Sequence, residues 1–300
     1  MSRLSLLLCL CALLGCASLR ALFTSTRSRL FVPLKLSGDS NELDVNSEAE
    51  FRELLDEALE NKESGFSSSP SALDQLKELQ RMNSDSDSAF LGFGSSIRKF
   101  RVCTKLGIEL FQAGDLEGAI REFDSAVSSN STQPLVQRGI TLYCLGRYEE
   151  AATQLKRDVE RIESSKTYKA SDLRLWLSAC MNRLGKSDTA KAVLDLNAYA
   201  TEGNTLTDSN FLMKNLLLFF GGQQTLEDLL EVIGGSCEEI ESRSGPGTIF
   251  YGNFYLGLYF DAIGEVDLAK AFLEIPASST KYSRNDMWYH LPRVMLGRLK

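Results

Sequence analysis

Apolar residues recur at every third or fourth position from about residue 97 onward, in segments long enough for two or three helical turns. The first two segments carry their apolar and small residues on one predicted helical face each: Leu106, Gly107 and Leu110, then Ala119, Phe123 and Ala126. Gly107 and Ala119 are small where two helices would cross closely, and Phe123 would fill the space beside them. No strand pattern interrupts this order. The pattern therefore predicts an all-α fold built from helix–turn–helix pairs.

A six-residue motif returns between these segments: glycine, two residues, an acid, one residue and alanine. It begins at Gly114, Gly146, Gly185 and Gly264, whereas average composition would produce roughly 0.1 to 0.2 copies in a chain this long. We interpret the glycine as the end of one helix in a left-handed conformation, and the acid as a first-turn residue facing the positive end of the next helix dipole. The spacings of 32, 39 and 79 residues predict an array of helical repeats.

The motif divides residues 97–300 into four repeats and leaves room for more. The repeats lie near residues 100–131, 132–165, 171–200 and 250–280. The 79-residue interval accommodates a degenerate helix pair at 207–233, turning at Gly221-Gly222 and capped by Thr225 with Asp228. A closing helix is predicted at 284–299, where Pro292 should kink or split it.

The second repeat shows the pattern most fully, in Leu135, Gly139, Leu142, Gly146, Tyr148, Ala151 and Leu155. These residues resemble the tetratricopeptide repeat (TPR), which implies a right-handed solenoid with terminal capping helices. Two residues depart from the family pattern: Arg138 replaces an apolar residue and Asp158 a small one.

Two stretches of the sequence resemble particular groups of TPR proteins. Thr132-Gln133-Pro134-Leu135 with Tyr148-Glu149-Glu150 looks like plant and algal plastid TPR proteins, and Phe254 to Tyr259 with Gly264 is similar to the last repeat of a bacterial outer-membrane TPR lipoprotein family. Both imply a non-enzymatic scaffold or adaptor, acting in complex assembly or in protease and substrate delivery. The partner would be a protein or peptide segment.

The composition of the first 38 residues predicts a targeting leader. Arg3 precedes an apolar stretch of about twelve residues, which predicts a signal peptide over 1–16. Residues 17–38 are rich in Arg, Ser and Thr and contain no acid, as in organelle transit peptides. Together they predict plastid (chloroplast) targeting. Alternatively, Leu13-Leu14-Gly15-Cys16 resembles a bacterial lipobox, which would anchor the protein at an envelope membrane through a lipid on Cys16. No transmembrane segment is predicted in the mature chain.

Residues 39–96 are predicted to be acidic and partly disordered, with two short amphipathic helices between Ser-rich linkers. A capping box formed by Ser47 and Glu50 begins the first helix, and the second lies at about 71–82. Two interpretations stay open for this segment. It either caps the repeat array or binds a partner separately.

Charge and composition remove several classes of function. The net charge of the whole chain is −7. The leader contains basic residues and no acid, so the remaining residues carry a net charge of −12, which disfavours nucleic-acid binding. His290 is the only histidine, so it would have to serve any Ser-His, Cys-His or multi-histidine site. We predict no catalytic, cofactor-binding or metal site. The four cysteines beyond the leader are expected to be reduced structural thiols: Cys103, Cys144, Cys180 and Cys237.

Asn130-Ser131-Thr132 forms a glycosylation sequon between two repeats. Thr132 is better explained as a cap of the following helix, with Pro134 in its first turn. We therefore give the sequon a structural interpretation.

The repeat register places one set of residues along a concave groove lined by the first helix of each pair. The candidate partner-binding residues are Arg101, Lys105, Gln137, Ile140, Trp176, Tyr251, Phe254 and Tyr255. The first end of this groove is basic and polar, and the far end is aromatic, as in many peptide-binding surfaces. The alternative is that the aromatic residues pack against the neighbouring pair or the closing helix. The sequence leaves the oligomeric state open. One possibility is a structural protein that self-associates.

Overall fold

The structure of the protein, a computed structural model, describes residues 92–164, 170–196, 211–234, 247–279 and 287–299. Within these ranges the chain forms eleven α-helices and no β-strand, which confirms the all-α class. The predicted leader and the segment 39–91, including both short amphipathic helices, lie outside the described residues.

Ten of the helices form five consecutive helix–turn–helix pairs, and the last helix follows alone. The helices are α1 (Gly92–Gln112), α2 (Leu116–Ser129), α3 (Val136–Cys144), α4 (Tyr148–Ser164), α5 (Ser171–Arg183), α6 (Ser187–Ala192), α7 (Phe211–Phe220), α8 (Leu226–Gly234), α9 (Thr248–Ile263), α10 (Val266–Ala277) and α11 (Met287–Arg298). The degenerate pair predicted at 207–233 is therefore present as α7 and α8.

The first helix begins earlier than its sequence suggests. Residues 92–96, which we expected to be a Gly- and Ser-rich turn and linker, are the first residues of α1. Gly and Ser have low helix propensity, but extending an existing helix adds one hydrogen bond per residue and does not repeat the cost of nucleation. The linker prediction for these five residues was wrong.

The glycine motif forms the same turn in every pair. Gly114, Gly146, Gly185 and Gly264 all have positive φ, between 71° and 86°, as predicted. At Gly146 the glycine N–H donates to the Tyr143 carbonyl, and the next N–H, of Arg147, donates to Leu142, both at 2.9 Å. This pair of bonds is the Schellman motif, and it occurs at all four glycines.

A fifth copy of the turn lies in the degenerate pair. Gly222 has φ 73°, and the same two backbone bonds surround it, although no acid–alanine motif follows. The predicted cap is also present, because the Thr225 hydroxyl accepts from the Asp228 N–H and the Thr225 N–H donates to the Asp228 carboxylate. Successive turn glycines are 32, 39, 37 and 42 residues apart.

A small residue on the first helix of a pair receives a large side chain from the second. A Cβ added to Gly107 would lie 2.5 Å from the Phe123 ring, as predicted from the pattern. The same relation joins Gly139 to Leu155 and Gly257 to Leu273, each partner lying sixteen residues later. These glycines therefore set how closely the two helices of a pair approach.

The two residues that depart from the repeat pattern join neighbouring helices. Asp158 on α4 is fully buried, and its carboxylate accepts from the Leu135 N–H at 3.2 Å and from the Gln154 amide at 3.0 Å. Arg138 on α3 donates to Asp124 on α2 at 2.7 Å. Asp158 thus satisfies a backbone N–H at the start of α3 that no side chain of α3 caps.

This arrangement corrects the prediction for Thr132. Thr132 donates from its N–H and its hydroxyl to the Asn130 side chain, and α3 begins only at Val136. The threonine therefore closes a local turn and does not cap the helix, because the carboxylate from α4 already occupies that role.

The pairs pack in sequence, but the last helix returns to the beginning. Helix α2 packs on α3 and α4 on α5, while α9 contacts α5, α7 and α8. Helix α11 packs on α10 and also contacts α1 and α3. Pro292 lies inside α11, which continues through it, so of the two predicted outcomes the split does not occur.

Candidate functional site

The structure divides the predicted groove residues into two groups. Lys105 is exposed, and Arg101, Gln137 and Tyr251 are half-buried on α1, α3 and α9. The other four predicted residues are buried: Ile140, Trp176, Phe254 and Tyr255. A partner would reach the buried group only if the helices around it moved. Binding by any of the eight stays a prediction.

The buried aromatic side chains form a row that crosses four helices. Trp176 on α5 lies 5.3 Å from Tyr143 on α3 and 5.9 Å from Phe254 on α9, between ring centroids. Trp288 on α11 continues the row, at 6.0 Å from Phe254 and 6.4 Å from Tyr251. The closing helix thus covers the aromatic end of the predicted groove. These contacts match the alternative expectation, in which the aromatic residues pack against the neighbouring pair or the closing helix.

A buried carboxylate lies at the other end of α11. Asp261, near the end of α9, is fully buried and lies 2.5 Å from the Arg183 guanidinium of α5. Its second oxygen accepts from Arg298 of α11 and from the Tyr143 hydroxyl at 2.7 Å. Arg298 also donates to the Tyr143 carbonyl and the Tyr148 hydroxyl. We call these five residues the Asp261 cluster: Tyr143, Tyr148, Arg183, Asp261 and Arg298.

The position of the cluster follows from the repeated turn. Tyr143 and Asp261 each lie three residues before a turn glycine, and each carbonyl accepts from that glycine's N–H. Arg183 lies in the last turn of α5, and Arg298 in the last turn of α11. The turn ends of α3, α5 and α9 therefore meet the end of the closing helix at one place.

The electrostatics of the cluster keep its arginine charged. Burial is the largest influence and acts to lower the pKa of Arg298, but Asp261 together with Tyr143, Tyr148 and Cys144 outweighs it, so the net shift of the pKa is upward. Burial first, and then Asp261, hold the pKa of Tyr143 well above its usual range. Two guanidinium groups on one carboxylate leave one positive charge in excess. This arrangement suits tight structural pairing, with the phenol neutral at physiological pH.

The histidine and the described cysteines lie in packed surroundings. His290 is half-buried on α11, with its ring 5.1 Å from that of Tyr289. Cys103, Cys144 and Cys180 are buried free thiols, as expected, and Cys237 lies outside the described residues. Burial raises the pKa of Cys144 to about 12, which keeps its thiol protonated and unreactive.

Among the described residues, no group of three or more His, Cys, Asp and Glu side chains is placed to hold a metal ion. No described helix has the length and apolar character needed to cross a membrane.

Sequence reasoning missed the Asp261 cluster. Its signal was present in α9, where Asp261 is the single charged residue in a mainly apolar sixteen-residue helix. A charge placed there must be buried and paired. The partners were not identifiable, because Tyr143 and Arg183 lie 118 and 78 residues away in the chain.

No protein-family model matches this chain. The TPR resemblance therefore rests on the residues quoted in the sequence analysis.

Proposed function

We propose that this protein is a non-enzymatic scaffold or adaptor of the TPR type, a right-handed solenoid that binds a segment of a partner protein. The observation that carries the proposal is the turn repeated five times, at Gly114, Gly146, Gly185, Gly222 and Gly264. Helical pairs joined by one recurring turn build extended surfaces, and such surfaces are used mainly for protein binding.

The packing inside the pairs supports the same conclusion. The small-to-large contacts of Gly107 with Phe123, Gly139 with Leu155 and Gly257 with Leu273 recur at one spacing. A contact that recurs in register makes each pair a structural unit, and stacked units expose equivalent faces to a partner.

The accessible part of the predicted groove is polar and basic. Lys105, Arg101 and Gln137 lie on the first helices of the first two pairs, where their side chains reach solvent. The acidic remainder of the chain favours a protein segment over a nucleic acid as the ligand. We propose that the partner contacts this end of the array first.

Affinity capture from plastid lysate, with the full chain and its native leader as bait, tests the proposal. Lys105→Glu combined with Gln137→Ala should lower the yield of each specifically retained protein at least tenfold. The matched control is Lys156→Glu, which changes an equally exposed lysine on α4 and should leave retention unchanged. Equal retention by all three baits would contradict the proposal, as would a turnover abolished by His290→Ala.

The N-terminal leader bears on the compartment in which the protein acts. The transit-like segment favours a plastid scaffold, and the Leu13-Leu14-Gly15-Cys16 sequence favours the second candidate, a lipid-anchored adaptor that organises envelope enzymes. Mass spectrometry of the mature N-terminus separates the two. A start near residues 36–40 supports the plastid protein, and a diacylated Cys16 supports the lipoprotein.

A further inference from the structure

The loop between α2 and α3 carries a motif that the scaffold function does not use. Residues 130–132 are Asn-Ser-Thr, which is the acceptor sequence for N-linked glycosylation. No other asparagine in the 300 residues is followed two positions later by serine or threonine. From the sequence, Thr132 is better explained as a cap of the following helix, and that explanation leaves the motif without a functional role. The structure removes this explanation.

The start of α3 is capped without Thr132. The Leu135 N–H donates to the Asp158 carboxylate at 3.2 Å, and α3 begins only at Val136. Thr132 instead donates to the Asn130 side chain, at 3.2 Å from its N–H and at 2.7 Å from its hydroxyl. The capping of α3 therefore does not account for a threonine at this position.

The loop lies where a glycan can be attached. Ser131 and Thr132 are exposed, and Asn130 is half-buried at the end of α2. The backbone of Asn130 has left the helical conformation, at φ −147° and ψ 90°, while its N–H still donates to the Ala126 carbonyl at 3.0 Å. A glycan is bulky and requires a surface position. The folded loop provides such a position without disturbing a helix.

The atom that would carry a glycan is distinct from the atom that Thr132 contacts. A backbone N–H can only donate, so the Asn130 atom that accepts from Thr132 is the amide oxygen Oδ1. A glycan is attached to the amide nitrogen Nδ2. Attachment therefore leaves Oδ1 and both of its hydrogen bonds in place. The local turn and the modification are compatible.

The loop also lies away from the repeated turns. Helix α2 begins just after the Gly114 turn, and α3 ends just before the Gly146 turn. The loop between them is therefore at the opposite end of both helices from these glycines. Because the Asp261 cluster is formed where the turn ends meet, a glycan on Asn130 would leave that cluster uncovered.

We propose that Asn130 is an N-glycosylation site, modified when the predicted signal peptide over residues 1–16 brings the chain into the lumen of the endoplasmic reticulum. This inference goes beyond the scaffold function and needs no partner protein. It depends on two features of this chain: the exposed acceptor loop and the leader that precedes the repeats.

The chemistry is the transfer of an oligosaccharide from a lipid-linked oligosaccharide diphosphate by the membrane-bound oligosaccharyltransferase. A bond forms between Nδ2 of Asn130 and the anomeric carbon of the first sugar. The bond between that carbon and the phosphate oxygen breaks, and the lipid diphosphate leaves with its electron pair. The amide nitrogen gives up one proton to the solvent, and no oxidation or reduction takes place.

Translation of the full chain with its native leader, in the presence of microsomes from the endoplasmic reticulum, tests the inference. Protection from added protease identifies the chains that have entered the lumen. The protected wild-type chain should migrate more slowly on a denaturing gel, by one glycan, and peptide-N-glycosidase should reverse the shift. That enzyme converts the modified asparagine to aspartate, which mass spectrometry should locate at position 130. A protected wild-type chain without a shift overturns the inference.

Substitutions in the loop test the assignment to Asn130. Asn130→Gln and Thr132→Ala should each abolish the shift of the protected chain, whereas Thr132→Ser should keep it, because serine is accepted at the third position. Ser131→Ala is the matched control, since it changes an exposed residue of the same loop and should keep the shift. Ser131→Pro should abolish it. A shift that persists in Asn130→Gln overturns the inference, and so does loss of the shift in Ser131→Ala.

A leader exchange separates the acceptor loop from the address. In a second chain, a secretory signal peptide of established activity replaces residues 1–16. Both chains should be protected and glycosylated. Glycosylation of the exchanged chain alone would show a competent loop that the natural chain does not bring to the enzyme, and it overturns the inference. Because the glycan is measured on the denatured chain, neither result depends on the scaffold function.

Discussion

Two fully buried aspartates, Asp158 and Asp261, hold the molecule together in different ways. Asp158 lies at the junction of α3 and α4 and accepts only from neutral groups, the Leu135 N–H and the Gln154 amide. Asp261 lies where α5, α9 and α11 meet, between two arginines and a tyrosine. The first joins neighbours in the chain and the second joins distant parts of it.

The difference shows which contacts the repeat supplies and which it does not. The Asp158 bonds span 4 and 23 residues, within one repeat. The Asp261 bonds span 37, 78 and 118 residues and therefore connect three of the pairs and the closing helix. At Asp158 neutral donors suffice between adjacent helices, whereas the long-range junction at Asp261 pairs full charges.

The largest expected effect is the removal of the Asp261 carboxylate. Asp261→Ala leaves two half-buried guanidinium groups without their shared, fully buried anion and should lower the free energy of unfolding by about 3 to 5 kcal/mol. Urea denaturation followed by circular dichroism measures the change. The matched control Glu274→Ala removes an exposed acid on α10 and should change stability by less than about 0.5 kcal/mol. A loss below about 1 kcal/mol for Asp261→Ala would show that the junction is not essential.

Asp158 should matter less. Asp158→Ala leaves the buried Leu135 N–H and Gln154 amide without an acceptor, which costs about 2 to 3 kcal/mol. Asp158→Asn keeps one oxygen to accept these bonds and should cost less than half as much at pH 7. Urea denaturation of both variants measures the two losses. Equal losses for the two variants would show that the bonds are not the cause.

The pH dependence of Asp158 sharpens this comparison. Burial raises the pKa of Asp158 above its usual 3.8, so the folded state binds the proton more tightly than the unfolded state. This group's contribution to stability therefore falls as the pH rises from 3.8 through the higher folded pKa. Asp158→Asn should remove that decrease, so its stability relative to wild type should improve from pH 4 to pH 7. A difference that is constant over this range would contradict the assignment.

The crossing glycines should behave alike in both regions. Gly139→Ala and Gly257→Ala each place a Cβ within 2.8 Å of a leucine side chain and should cost about 1 to 3 kcal/mol through overpacking. Gly297→Ala in α11 is the control, because its Cβ would meet no atom within 4 Å, and it should be neutral or stabilising. Thermal unfolding measures all three. A large effect at Gly139 alone would show that the pairs do not share one packing rule.

The smallest effect is expected at the turns. Gly146→Ala and Gly264→Ala force alanine into a left-handed conformation at φ 77° and 85°, which costs roughly 1 kcal/mol each. No neighbouring atom lies within 4 Å of either added Cβ, so strain alone is measured. Equal losses in urea denaturation would support one common turn. A loss at Gly264 several times that at Gly146 would show that the Asp261 cluster depends on the turn beside it.

The sequence predicted what depends on neighbours in the chain. The φ of Gly114, the contact of Gly107 with Phe123 and the extra pair turning at Gly221-Gly222 all follow from residues within one repeat. Thr132 failed as a cap because the competing acceptor, Asp158, comes from the next helix. Local propensity also failed at residues 92–96, where an adjoining helix extends through Gly and Ser.

The Asp261 cluster lay beyond such reasoning. For Trp176 and Phe254, periodicity assigned a face and left two alternatives, a partner or the neighbouring pair and closing helix, between which it could not decide. The covering element, α11, lies at the far end of the chain and carries no copy of the repeat motif. The buried charge in α9 indicated that partners exist and gave no means to identify them.

The return of α11 to α1 and α3 has a consequence for cooperativity. An open array, in which each unit touches only its neighbours, frays from its terminal units, and its middle can stay folded while the ends melt. Here the last described helix is tied to the first ones, so loss of the C-terminal end removes support from the N-terminal end as well. We therefore expect the described helices to unfold together in a single cooperative transition. Inserted repeats should be poorly tolerated, because they would move α11 away from α1 and α3.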